Sequence, residues 1–137
     1  MTLRLSATLL LDKVRQGGSP NALFESAQNE VDESDRAFLR ELVYGSLRLW
    51  PMYKGVTRQL LEKPLKPKDS ALEALLILAL YELDECSTPS YASVSAAVEV
   101  CSSLKRAWAA KLINACLRRY QREKAVLLEQ LGESEQA

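Results

Sequence analysis

Apolar positions recur every three to four residues along almost the whole chain, and no stretch alternates with period two for long enough to form a strand. Leu3 to Gln16 places Leu5, Leu9 and Val14 on one helical stripe, which Gly17-Gly18 ends. Ser19-Pro20 supplies an N-cap and a proline at the first helical position, opening a short helix to about Ala27. Gln28 to Glu33 is polar and reads as a loop. Ser34, with Asp35 in the first turn, then starts a helix whose Leu42, Val43 and Leu49 face inward. Pro51 interrupts it at Trp50, because proline disfavours helical geometry in the residue before it. The next turns run from Pro51 to about Glu62, and Lys63-Pro64-Leu65-Lys66-Pro67 is a rigid connector. Lys68 to Glu85 carries Leu72, Leu75, Leu76, Leu78, Leu80 and Leu83 and is apolar nearly all round, which predicts the central, most buried helix. Beyond the break at Ser87-Thr88-Pro89-Ser90 two more helices follow, about Tyr91 to Ser103 and about Arg106 to Gln130. The pattern predicts an all-α bundle of about seven helices, one domain over 1–131, with 132–137 an acidic tail or the start of a linker.

Composition leaves that picture unchanged. Hydrophobic residues make up 47% of the 137 and charged residues 26%, which is globular. A domain of this length buries roughly 65–70% of its unfolded surface, so folding requires neither disulfide nor metal.

Charge does add something. The formal net charge is zero, but the signs are segregated. Asp69 to Glu99 holds six acids and no base; Arg36 to Lys68 holds eight bases against Glu41 and Glu62; Lys105 to Lys124 holds seven bases against Glu123. Two basic stretches bracket an acidic one, and packing that brought them together would make a cationic patch able to hold a polyanion. Three cysteines without Cys-x-x-Cys spacing read as reduced thiols of a cytoplasmic protein. Arg4, Asp12 and Lys13 interrupt the N-terminal apolar residues, which argues against a signal peptide, and the longest apolar run, Ala74 to Tyr81, is far short of the roughly 20 residues that cross a bilayer.

Several chemistries are excluded. Histidine is absent, which removes Ser-His-Asp and Cys-His catalysis and most zinc sites. The five glycines are too scattered to cradle a phosphate, and without strands there is no sheet edge for a nucleotide or S-adenosylmethionine. Glu82, Asp84 and Glu85 read as a solvated acidic helix end rather than an acid–base pair, and Cys101 and Cys116 as small core residues rather than nucleophiles. The expectation is a chain with no catalytic residue, metal or cofactor of its own.

What remains points to nucleic acid. In Lys111-Leu112-Ile113-Asn114-Ala115-Cys116-Leu117-Arg118-Arg119-Tyr120-Gln121-Arg122, the apolar Leu112, Ala115 and Cys116 share a face with Arg119 at its edge. Lys111, Arg118 and Arg122 project from the other flank. Arginine forks suit phosphate oxygens, and Tyr120 is placed to stack on an unpaired base. Arg36, Arg40 and Arg48 form a second basic stripe, one alternative being that Arg40 pairs with Glu41 or the acidic segment. Both stripes also read as ordinary solvated helix faces.

The run Asp35-Arg36-Ala37-Phe38-Leu39-Arg40-Glu41-Leu42-Val43-Tyr44-Gly45-Ser46-Leu47-Arg48 resembles the second-helix signature of NusB-like domains. The resemblance continues through Leu60 to Leu65, Leu78 to Leu83, Ala97-Val98-Glu99 and Lys111 to Arg119, covering about residues 3 to 128. Within that superfamily the Lys-Pro-Leu connector and the Leu-Arg-Arg-Tyr ending are most similar to the N-terminal domain of the RsmB/Sun/Fmu family of 16S rRNA cytosine-C5 methyltransferases. This implies a domain that holds ribosomal RNA for a catalytic domain in cis, where S-adenosylmethionine would bind, and a chain that is a fragment of a longer protein. The family's catalytic cysteines stand in Pro-Cys and Thr-Cys contexts; here they follow Glu85, Val100 and Ala115, so no catalytic role carries over. Ala96, Tyr91 and Cys116 also depart from the family's usual acidic, histidine-like and aliphatic residues. Two alternatives stay open: a free-standing antitermination-type factor binding RNA with a protein partner, and a helical protein-interaction module docking around Trp50, Met52, Tyr53 or Trp108.

Overall fold

Thr2 caps the first helix, α1 (Leu3–Arg15), its hydroxyl accepting from the Leu5 amide, and the two glycines predicted to stop it do so. The Gly17 amide donates to the Val14 carbonyl and the Gly18 amide to that of Lys13, with Gly17 at φ +109°, a left-handed closure open to glycine. The computed structural model describes residues 2–136, with side chains described as far as Gly132, so most of the expected tail 132–137 lies outside the described side chains. Ser19 caps α2 (Pro20–Ala27) through the Ala22 amide. The expected polar loop contains two 3-10 turns, Gln28–Glu30 and Glu33–Asp35, the second occupying the position where Ser34 was to cap a helix. Helix α3 (Arg36–Arg48) therefore starts later, and Leu49 separates it from α4 (Trp50–Leu60). After the connector come a 3-10 turn at Pro67–Asp69, then α5 (Ser70–Glu85), α6 (Ser90–Ser103), a 3-10 turn at Ala107–Ala109, and α7 (Ala110–Gln136). Seven α-helices and no strand are present among the described residues, the all-α architecture that the periodicity predicts.

Helix α6 ends in the same double closure as α1, with Arg106 donating to the Cys101 carbonyl and Lys105 to that of Ser102. Here the left-handed position is held by Lys105 at φ 59°, a conformation that disfavours a side-chain-bearing residue by about 1–2 kcal/mol.

Apolar on nearly every side, α5 must be covered on every side. Leu72 and every residue from Ala74 to Glu82 are buried, and α1, α3, α4, α6 and α7 all pack on it. Helix α2 rides on α1; α3 lies across α1 and α5; α7 lies against α4, α5 and α6. Gly45 permits a close approach of α3 to α5, since a methyl there would overlap the Tyr81 ring.

At the acidic end of α5, Glu85 is exposed as expected, but Glu82 and Asp84 are not. Glu82 is only 1% exposed and accepts a two-pronged fork from Arg4 of α1, Nε to Oε1 at 2.9 Å and Nη2 to Oε2 at 2.7 Å. The Ser93 hydroxyl of α6 donates to the same carboxylate at 2.9 Å. One buried charge thus ties three helices. Burial alone would push this carboxyl up, but the hydrogen bond and charge of Arg4, with the Ser93 and Thr88 hydroxyls, outweigh it and hold it below its ordinary 4.5.

Arg4→Ala leaves that carboxylate buried and uncompensated, and is expected to lower unfolding free energy by about 3 kcal/mol in urea titration. Because the folded carboxyl titrates below 4.5, its contribution is complete above that pH and is lost as pH falls through the lower folded value. Urea midpoints measured from about pH 6 down to about pH 3 should fall steeply in the wild type and less steeply in Glu82→Gln.

Candidate nucleic-acid interface

Helix α7 buries Ile113, Cys116, Leu117, Tyr120 and Leu127, and this settles which of its other residues face water. Lys111, Ala115, Arg118 and Arg122 are all exposed. At 3.6 residues per turn, the three cations fall within about 40° of one another and span about 16 Å along the axis. Ala115 belongs to this outer stripe, not to an inner face with Cys116 as the chain pattern indicated. None of the three cations has a hydrogen-bond or ion-pair partner among the described residues. With no Cβ branching or bulk at Ala115 between them, the stripe presents uncompensated positive charge.

Tyr120, expected to stack on a base, is 1% exposed and cannot. Its hydroxyl donates to Asp84 Oδ2 at 2.7 Å, and so does the Tyr53 hydroxyl of α4, also at 2.7 Å. Lys124 reaches Oδ1 of the same carboxylate at 2.7 Å. Asp84, like Glu82, is an internal tie rather than a solvated acid. Burial, then the hydrogen bond to Asp84, pushes both phenols well above their ordinary 10.

Helix geometry explains the fate of two arginines. The last four carbonyls of a helix lack intrahelical partners. Arg119 Nη1 donates to the Gln59 carbonyl at the end of α4 (3.2 Å), while its Nε donates to Glu123 (3.3 Å). Arg36 Nε donates to the Gln28 carbonyl after α2 (3.0 Å). Glu123 itself departs from helical geometry, so α7 is kinked where the periodicity predicts a straight helix. Beyond the kink the chain turns onto α4, where Gln59 Nε2 donates to the Leu127 carbonyl at 3.0 Å and Leu131 packs over Gly55.

On α3, Arg40 pairs with neither Glu41 nor the acidic segment; its guanidinium lies over the Phe24 ring (4.5 Å) and the Tyr44 ring (5.5 Å). Arg48 is exposed with no partner among the described residues. The arginine stripes of α3 and α7 are not gathered side by side: α3 packs on α1 and α5, whereas α7 packs on α4, α5 and α6. The structure brings together Lys111, Arg118 and Arg122, and it leaves Arg36, Arg40 and Arg48 in a separate region.

Packing also assembles cations that the chain pattern counted but did not group. Lys63, Lys66 and Lys68 of the connector line one groove with Arg106 and Trp108 of the α6–α7 turn. The lysine–proline alternation was the only signal for it in the sequence; the pairing with Trp108 joins residues about forty positions apart. Of the aromatic residues considered for protein docking, Trp50 and Tyr53 are buried, Trp50 beneath the Arg15 guanidinium at 4.8 Å, and only Trp108 is broadly exposed.

Cys101 and Cys116 are buried, as expected, and burial pushes both thiols up. Cys86, half-buried beside the Glu41 carboxylate, is pushed up to about 12 by burial and that charge, so it holds its proton at neutral pH. Among the described residues no group of His, Cys, Asp and Glu side chains could hold a metal ion, and no helix is long and apolar enough to cross a membrane.

The NusB family matches residues 1–122. The chain is 38% identical over 129 residues to ribosomal RNA small subunit methyltransferase B of Pseudomonas putida, covering 93% of this chain and 30% of that protein. To the methyltransferase B of Xanthomonas campestris it is 42% identical over 122 residues (88% and 28%), and to that of Vibrio vulnificus 36% over 124 residues (90% and 29%). The chain thus spans less than a third of the length of these relatives.

The Asp84 tie makes its own prediction. Above pH 10 the unfolded phenols ionise while Tyr53 and Tyr120 keep their protons, so stability is lost as pH rises. Removing both hydroxyls, as in Tyr53→Phe with Tyr120→Phe, should flatten that alkaline loss, at a cost of about 1 kcal/mol per hydroxyl at neutral pH, measured by urea unfolding.

Proposed function

The chain belongs to the NusB family, and from that premise we propose that it is the RNA-binding N-terminal domain of a 16S ribosomal RNA (cytosine-C5) methyltransferase. The observation that carries this reading is the outer stripe of α7, where Lys111, Arg118 and Arg122 stand exposed with no partner among the described residues. Other cations near them are engaged within the fold, since Arg119 holds the end of α4, Lys124 holds Asp84, and Arg106 holds Asp69. Three cations on one line with no contact to the described residues suit a phosphate backbone, which attracts them by charge and releases its own counterions. The methyltransferase relatives act on ribosomal RNA by name, and ribosomal RNA is the polyanion assigned to this stripe.

S-adenosylmethionine and the transfer step belong, in this reading, to a catalytic domain in cis. The described residues fit the cofactor poorly: they include no strand edge, and their five glycines are scattered, Gly17 and Gly18 closing a helix end, Gly45 and Gly55 admitting a neighbouring side chain and Gly132 lying within α7. The chain's part is to bind and orient RNA, in the cytoplasm, where its three unpaired thiols stay reduced.

Charge reversal of Lys111, Arg118 and Arg122 to glutamate is expected to weaken binding of a 16S rRNA fragment at least tenfold at about 0.1 M salt. The dependence of affinity on salt should become shallower by roughly two to three, for three lost phosphate contacts on single-stranded or paired RNA. Fluorescence anisotropy over a salt series measures both. Unaltered affinity and slope in the triple variant would sink the assignment of this surface.

A further inference from the structure

The groove between the connector and the α6–α7 turn has features that a solvated surface does not require. One wall is Lys63, Pro64, Leu65, Lys66 and Lys68; the other is Arg106 and Trp108. Asp69, at its base and 6% exposed, accepts from Arg106 Nε at 2.8 Å, and Arg106 Nη2 also donates to the Lys68 carbonyl at 3.4 Å. A single arginine therefore pins the two walls together, and its position follows from the left-handed Lys105 beside it. Strain held at a surface turn by surrounding contacts is characteristic of binding sites.

Charge and shape in this groove favour one class of occupant. The only acid lining it is already taken by Arg106, while Lys63, Lys66 and Lys68 are exposed and have no ion-pair partner among the described residues. Beside them the Trp108 indole is 60% exposed, the more exposed of the two tryptophans. Lysines around an open aromatic face match a nucleotide, whose base stacks while its phosphate is neutralised. The groove is also continuous with α7, since Trp108 stands one turn before Lys111 at the head of the Lys111–Arg118–Arg122 stripe. A helix face can follow a backbone that stays paired, but an indole can stack only on a base that has left its helix.

We propose that this groove seats an unpaired nucleotide of the RNA whose backbone runs along α7, with the Trp108 indole against the base and Lys63, Lys66 and Lys68 about its phosphates. The proposal rests on the RNA-binding assignment above and adds to it a preference for a junction between paired and unpaired segments.

The test uses this chain with two probes, an oligouridylate of about 12 nucleotides and a blunt RNA duplex of similar length. Oligouridylate should quench the emission of Trp108, read as the part of the tryptophan signal absent from Trp108→Phe, whereas the duplex should bind without quenching it. Trp108→Ala is expected to weaken oligouridylate binding about tenfold and leave duplex binding unchanged, with Trp108→Phe keeping most of the affinity. Lys63→Glu with Lys66→Glu should weaken oligouridylate binding while the protein still melts at the wild-type temperature. Wild-type affinity for oligouridylate in Trp108→Ala, or no quenching in the wild type, overturns the groove and leaves Trp108 as a protein-docking residue. If Lys111, Arg118 and Arg122 reversal still abolishes binding in that case, the α7 assignment stands without the groove. Failure of the wild type to bind either probe overturns both.

Discussion

Helix α5 is apolar on nearly every side, and the rest of the fold follows from covering it. Five other helices close around it, and each contact buries apolar surface worth about 25 cal/mol per Å2. Yet this helix carries Glu82 and Asp84 near its C-terminal end, where the enclosing helices exclude solvent. A buried carboxylate without partners is prohibitive, so every enclosing helix but α3 supplies a donor at this end: Arg4 from α1, Tyr53 from α4, Ser93 from α6, and Tyr120 with Lys124 from α7. The two acids convert non-directional apolar burial into a specified arrangement, since each carboxylate accepts only where a donor arrives at the correct height along α5.

That arrangement also sorts the cations. An arginine that reaches an acid at either end of α5, or the open carbonyls at the end of a neighbouring helix, becomes part of the scaffold. Arg4, Arg36, Arg106 and Arg119 are of this kind. Those that point away from every such acceptor keep their charge for the outside. On α7 the division follows the helical angle: Tyr120 turns inward to Asp84, Arg119 sits at the border against α4, and Arg118 and Arg122 turn out. The same rotation that fixes the core therefore creates the outer line of charge. In the connector proline sets the sorting instead, because Pro67 keeps Lys66 extended and opens the 3-10 turn Pro67–Asp69, and Lys63, Lys66 and Lys68 are left exposed.

Membership of the NusB family and the match to under a third of several methyltransferase B proteins agree with this division of labour. Asp69, Glu82 and Asp84 are internal ties, and the thiols are buried or held protonated. In the proposed RNA-binding role, the domain presents a long flexible polyanion with charges already ordered along a helix, so less entropy is lost on association.

Local periodicity was enough to determine the helices. Apolar spacing, the Gly17-Gly18 and Ser19-Pro20 signals and the continuous apolar run of α5 depend on near neighbours along the chain, so the all-α class, the helix number and the central helix were legible. The resemblance of motifs carried the family. Apolar neighbours along the chain also placed Cys101 and Cys116 correctly in the core. What no local pattern contains is which donor meets which acceptor. Glu82 and Asp84 read as a solvated end because acids usually are, and only the arrival of Arg4 from 78 residues away and of Tyr53 and Tyr120 from 31 and 36 away makes their burial tolerable. Tyr120 was removed from the surface, Arg36 and Arg119 were taken by carbonyls, and Trp108 was placed beside three lysines by that same packing. Sequence alone determines the angle at which a side chain leaves its helix; whether water, a carboxylate or another helix lies in that direction is a property of the assembled bundle.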